Sequence, residues 1–393
     1  MARHGVLALS LAALAACTKP APMGPGSGLT LPSLPGSYEL VDLGSLAPPE
    51  STSCRGSEAV AINIRGQVVG LSKTGSKYWN CPQHAFLWDD GVMTDLGNFF
   101  PSLLNDRAQV AGTDHNGHTV FWDGGTLQDI GTLGGCCSGP SGLSTTGQVV
   151  GTSSTAIGEQ HAFSWLGGIM QDLGTLGGNQ SVASGVNAAG QIVGNSVTAA
   201  GATHAFLWEA GVMRDLGTLG GTYSAALAIN ETGAVTGEST DSAGSTHAFL
   251  WHDGVMQDLG VLPGFVGTSG QAINVLGAVA GRIWDGSAVR GFYWSDGVMQ
   301  ELGDFGYPST GVRAVNARGQ VAGKSQYCSA SFCTWAFVWE DGVMTKLPPL
   351  PGHYLSRGYD INAQGDVVGR SEGSSERYNA VLWRRVNQVA TTP

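Results

Sequence analysis

The sequence predicts an all-β chain folded as a β-propeller of four-stranded blades. Three observations lead there. Of 393 residues, 61 are glycine. Only 12% are Asp, Glu, Lys or Arg, about half the usual ~25%. One unit of about 43 residues recurs eight times. Glycine costs about 1 kcal/mol per helix position relative to alanine, and the Glu and Lys pairs that support exposed helices are scarce, so long helices are not expected. The glycines follow no three-residue period and 42% of residues are hydrophobic, which argues against collagen and disorder and leaves enough apolar surface for a large core. Thirty acidic against nineteen basic residues give a net charge of −11, with the cations scattered, so no nucleic-acid partner is expected.

At the N-terminus, Arg3 and His4 precede a largely apolar run over residues 6–16 and then Cys17. That run is too short to cross a ~30 Å hydrocarbon layer, so it reads as an export signal and not a membrane span. Leu14-Ala15-Ala16-Cys17 resembles the lipobox of bacterial lipoproteins, which implies cleavage before Cys17 and lipid modification of that cysteine. An ordinary secretory signal is the alternative. By the same resemblance, Thr18 in place of Asp after the cysteine points to the outer membrane. The expected division is a signal peptide over 1–16, a lipidated Cys17 and Pro/Gly-rich tether over 17–37, the propeller over 38–388 and a tail over 389–393.

The repeat is marked by Trp88, Trp122, Trp165, Trp208, Trp251, Trp294, Trp339 and Trp383, spaced 34, 43, 43, 43, 43, 45 and 44 residues apart. A glycine recurs eight times, from Gly70 to Gly369, with the Asn of an Asn-x-x-Gly turn seven positions before it in every unit but one, where Ser144 stands. Within a unit, four short apolar runs are separated by turn residues. In the fifth copy they cover 226–229, 234–237, 247–251 and 255–259. Residues 230–233 form a glycine-bearing hairpin loop, and Asp253-Gly254 is a type I′ turn signal. Four strands in this length make a propeller blade.

The ends account for the closure. Residues 38–44, Tyr-Glu-Leu-Val-Asp-Leu-Gly, match only the fourth strand of a unit, while the last unit has three strands and then Arg384-Arg385-Val386. The N-terminal strand therefore completes the final blade and removes a free sheet edge. Eight blades are expected, with seven or an open solenoid as alternatives.

These markers resemble the HAF-repeat family of bacterial exported proteins, named for the His-Ala-Phe seen at His84, His161, His204 and His247, with Asp-Leu-Gly-x-Leu-Gly-Gly between units. The resemblance runs from about residue 38 to 388. It implies an extracytoplasmic location and no settled activity.

A residue repeated at one position in many blades reads as architecture, since a site needs asymmetry. Pairing about the Asp-Gly turn places each His diagonal to an Asp, so His84 with Asp95, His118 with Asp129, His161 with Asp172, His204 with Asp215 and His247 with Asp258 are expected to lock hairpins by hydrogen bonds. The ring spreads these histidines too far apart for one metal ion. Where His becomes Arg290 the acid becomes Glu301, and where it becomes Trp335, Lys346 replaces the acid. The repeated Trp reads as filler between blades.

Function is expected in the loops between second and third strands and between blades, which share one face. Gly-to-Trp distances across the former are 18, 10, 14, 14, 14, 13, 16 and 14, so that face carries the variation. Six cysteines lie on it. Loop lengths favour Cys54 with Cys81 and Cys328 with Cys333, while Cys136 and Cys137 form a vicinal bond or stay free; a Zn site is the rival reading. Aromatics unique to one unit, Tyr78, Trp79, Trp284, Tyr327 and Phe332, are candidates for stacking on a sugar or docking a protein, with local loop packing as the alternative.

The expected function is a lipid-anchored, non-enzymatic module, a monomer, binding an envelope or extracellular protein or glycan and held to the membrane through Cys17. A propeller enzyme acting on an extracellular polysaccharide is the second reading. Against it stand the missing Gly-x-Ser-x-Gly and His-Glu-x-x-His motifs, with Asp114, His115, Asp241 and Asp304 only isolated candidates. A purely structural envelope protein is the third. No cofactor or metal is expected.

Overall fold

The computed structural model describes residues 29–30, 38–48, 51, 54–75, 81–328, 333–373 and 378–386. The proposed signal peptide, Cys17, the tail over 389–393, and Tyr78, Trp79 and Phe332 lie outside the described residues.

The chain forms eight antiparallel blades of four strands. Blade 1 consists of Ser57–Ile62, Val68–Lys73, Gln83–Asp89 and Val92–Gly97. Blade 8 takes Leu355–Ile361, Val367–Glu372 and Tyr378–Arg385 from the C-terminal end. Its fourth strand is Tyr38–Gly44, which pairs antiparallel with Tyr378–Arg385 and sets Leu40 opposite Trp383. The first strands of neighbouring blades touch one another around the whole ring, so they surround the axis. The ring is closed and has eight members.

Local chemistry explains the repeated residues. Opposite each repeat glycine the first strand bulges, as between Ala59 and Ala61, and this brings a carbonyl inward. A β-carbon on Gly70 would stand 2.0 Å from the Glu58 carbonyl oxygen and 2.7 Å from the ring of Phe86, so only glycine fits. The hairpin at Asp253-Gly254 has φ of 50° and 88°, the type I′ turn its sequence signals. Phe86, Phe163, Phe206, Phe249, Phe292 and Phe337 are fully buried, and each core cluster joins side chains of two adjacent blades. Trp383 packs with Ala322, Val338 and Leu347 of blade 7, the inter-blade role expected of the repeated Trp.

Two polar devices join the blades, and only one lay in a marked position. The turn asparagine closes its own hairpin and also donates its amide to the backbone of the next blade, as Asn316 Nδ2 does to the Asn362 carbonyl at 3.0 Å. The series runs Asn63, Asn105, Asn187, Asn230, Asn274, Asn316 and Asn362, and the last reaches back to the Asn63 carbonyl. The second device is a buried hydroxyl in the first strand of most blades. Ser57 accepts the Ala380 amide at 2.9 Å, and Ser181, Ser224 and Ser356 act alike on the blades before them. A serine inside a strand carries no sequence signal for this.

Two expectations change and one alternative is decided. Leu29–Thr30, inside the presumed tether, pairs with residues 41 and 42 as a short fifth strand of blade 8. The Leu-Gly-Gly stretch is not purely a connection between blades. In blades 3 to 5 it begins the first strand, as in Gly220–Ile229, where Gly220 pairs with Asp241 across a bulge. Of the two alternatives for Cys136 and Cys137, the free thiols are the one found, and no vicinal disulfide joins them. They lie in the strand Gly134–Leu143, where the register shifts between Gly134 and Ser138, and both thiols approach the Ser154 hydroxyl, at 3.8 and 3.4 Å. A hydroxyl thus takes the contacts that a bond between the two sulfurs would replace.

Candidate binding face

The hairpin lock is present in seven blades and replaced in one. Nδ1 of His84, His161, His204 and His247 lies 2.8 Å from the carboxylates of Asp95, Asp172, Asp215 and Asp258, and His118 lies 3.0 Å from Asp129. The other oxygen of each carboxylate accepts a glycine amide two residues on, such as Gly217. Arg290 reaches Glu301 at 3.2 Å in blade 6. In blade 8 Asn379 donates to Asp42 at 2.9 Å, the acid coming from the N-terminal strand. Blade 7 differs in kind: the Lys346 ammonium sits 3.4 Å from the centre of the Trp335 ring, a cation–π contact in place of an ion pair.

The variable face is less uniform than its spacing suggests. In blades 2 to 6 the loop after the second strand is itself a tight turn, closed by bonds such as Gly117 to Asp114 and Gly244 to Asp241. The longest of these loops belong to blades 1 and 7. Cys54 pairs with Cys81, tying the long loop of blade 1, and Cys328 pairs with Cys333, tying that of blade 7.

Blade 7 presents the aromatic groups. Tyr327 packs on Trp335 with ring centres 5.3 Å apart, and the Phe305 ring lies 6.5 Å from that of Trp335. The Trp335 indole and the Tyr327 hydroxyl both donate to the Tyr354 carbonyl, at 3.3 and 3.4 Å. Tyr307, Tyr327 and Tyr354 remain exposed. Tyr327 therefore belongs to a standing cluster. Trp284 does not: its indole covers Gly267, where a β-carbon would lie 2.3 Å from the ring, so it packs the edge of blade 6.

Of the isolated acid and imidazole candidates, Asp241 accepts the amides of Ala243 and Ser245, Asp304 accepts that of Gly306, and His115 contacts Asn98. Asp114, His118 and Asp129 do converge, with one ligand atom of each within 4.8 Å of the others. Asp114 is occupied by the amides of Asn116 and His118, and the Asp129 bond raises the His118 pKa, so the group holds the hairpin. On the opposite face, a cleft of about 410 Å³ opens between blades 8 and 1, lined by Trp88, Asp89, Asn362, Asp366 and Arg384. Its charges are of both signs, and Asp89 already accepts the Gln67 amide.

Among solved structures, the chain is similar to a puromycin-hydrolyzing peptidase from Mycobacterium tuberculosis, with a TM-score of 0.51 and 14% identity over 84% of this chain and 60% of that one. It is similar to a mutant puromycin hydrolase complexed with PGG, with a TM-score of 0.50 and 13% identity over 83% of this chain and 60% of that one. The β-propeller domain of the Trilobed protease from Pyrococcus furiosus matches at a TM-score of 0.48 and 10% identity, over 84% of this chain and 96% of that one. The chain thus spans about 60% of the length of the two hydrolases. At these identities the likeness shows the fold alone, a β-propeller. No family model matches the chain, and no curated protein matches it in sequence.

Proposed function

We propose that the protein is an exported, lipid-anchored propeller of the HAF-repeat kind that binds a glycan or protein of the cell envelope on the face formed by blades 7, 8 and 1, without catalysing a reaction. One observation carries this reading: Trp335 and Lys346 replace the hairpin lock of the other blades and, with Tyr327 and Tyr354, form an exposed aromatic cluster beside a disulfide-tied loop. Aromatic rings with one polar edge suit sugar C–H faces and protein hot spots alike, and the disulfide limits the entropy lost on binding. Anchoring through Cys17 to the outer membrane would hold this face near envelope polymers.

A glycan array and an envelope-extract pull-down with the exported chain test the reading, alongside the double variant Trp335→His/Lys346→Asp. That variant installs the pair found in the other blades, so it removes the cluster while keeping a stable hairpin. Capture by the native chain and loss in the variant support the proposal. Equal capture, or none by either, overturns it, and turnover of a captured polymer would favour an enzyme.

A further inference from the structure

The residue after each repeat glycine is uncharged in blades 1 to 4 and charged in blades 5 to 8, where it is Glu238, Arg282, Lys324 and Arg370. It lies on the second strand and meets the first strand of the next blade, as Arg370 meets Glu58 at 3.1 Å. Glu238 approaches Arg282 at 3.9 Å. Lys324 has no such complement. Its side chain runs over Gly311 of its own first strand, with the ε-carbon 3.8 Å from where a β-carbon would stand, toward the inside of the ring. Blade 8 answers it with Arg357.

Among the described residues, neither Lys324 nor the exposed Arg313 makes an ion pair, whereas Arg357 and Arg370 share Glu372, at 2.9 and 2.7 Å. Four cations, Arg313, Lys324, Arg357 and Arg370, thus stand against two acids, Glu58 and Glu372, an excess of two positive charges in a chain whose net charge is −11. Burial, followed by the guanidinium groups of Arg357, Arg313 and Arg370, pushes the Lys324 ammonium below the usual lysine range. The Arg357 Nε–H is also buried without a well-formed hydrogen bond, although a carboxylate oxygen is near. Like charges gathered with unused donors cost stability unless an anion completes them.

We infer that the inner seam between blades 7 and 8 is an oxyanion site, in which Lys324 and Arg313, backed by Arg357, bind the carboxylate or phosphate group of a small ligand entering along the ring axis. Arg guanidinium supplies paired donors for such a group and the lysine a point charge. These residues are distinct from the Trp335 cluster, so the inference stands or falls separately from the proposed function.

Calorimetric titration of the full chain at low ionic strength and pH 7 tests it with two probes, inorganic phosphate and glucuronate, and glucose as the uncharged control. Saturable one-to-one binding of at least one anion is expected, weakened about tenfold or more by Lys324→Met and unchanged in Trp335→His/Lys346→Asp. Which probe binds decides between a phosphate and a carboxylate source. Lys324→Met relieves like-charge repulsion, so it should melt no lower than the native chain, and the anion should raise the melting point of the native chain only. Absence of saturable binding by either anion, or equal affinity in the folded Lys324→Met variant, would overturn the inference.

Discussion

The side-chain amide of Asn379 lies 2.9 and 3.1 Å from the two carboxylate oxygens of Asp42, residues 337 apart in sequence and paired across the strand that closes the ring. Asp42 also accepts the Gly44 amide at 3.0 Å. It does for the closing blade what Asp215 or Asp258 does within a continuous hairpin, but here it fastens one end of the chain to the other.

Replacing this acid should therefore loosen the closure. Asp42→Ala is expected to cost about 1 to 3 kcal/mol, because it leaves two partly buried donors unpaired. Equilibrium urea unfolding measures this, and an unchanged midpoint would show that the clamp carries no stability.

The inter-blade asparagine series has one gap, at Ser144, whose hydroxyl contacts Thr146 instead of the next blade. Ser144→Asn should supply the missing donor to the backbone at Asn187 and raise stability by about 1 kcal/mol. Asn316→Ala should lower it by more, since it removes bonds to its own turn as well as to Asn362. Thermal melts of the two variants should move in opposite directions.

Asp360 accepts the Ile62 amide at 3.0 Å across the seam between blades 8 and 1, and burial pushes its carboxyl up to about 6. The unfolded value is about 3.9. The folded state thus holds this proton more tightly, so the group's contribution is full below about pH 4 and is lost as pH rises through about 6. His118, with its raised pKa, works in the same sense near neutrality. Urea midpoints at pH 5 and pH 7 should differ less in Asp360→Asn than in the native chain; an equal difference would remove Asp360 as the cause.

The cysteines should separate by reactivity. The Cys137 thiol, then the Ser154 hydroxyl, bonds to Cys136 and lowers its pKa, and this cysteine is exposed. Alkylation of the native protein without reductant should label Cys136 first and Cys137 more slowly, leaving 54, 81, 328 and 333 unlabelled. By loop length alone, losing the Cys54–Cys81 bond should cost about 3 to 4 kcal/mol and losing Cys328–Cys333 about 2. Peptide mapping and melts of the paired alanine variants check both.

Much of this was legible before the structure. The His and Asp positions, the Arg290–Glu301 exchange and the two disulfides all join residues fewer than thirty apart, so spacing and strand pairing suffice to match them. For Trp284 the sequence leaves binding and local packing both open, because uniqueness in a repeat does not distinguish a free ring from one that covers a glycine. The serine clamps were missed because a buried hydroxyl resembles any other polar strand residue until its partner blade is known.

The sequence by itself determined the blade, its turns, its glycines and the strand left over to close the ring, because each depends on contacts within one unit or on a count of units. Only the tertiary structure decided what lies at the seams: that Asn362 reaches Asn63, that Arg370 meets Glu58, and that Ser57 holds the Ala380 amide. The reason is physical. Bonds within a hairpin are set by local chain geometry, whereas a seam is set by which strands the closed ring brings side by side.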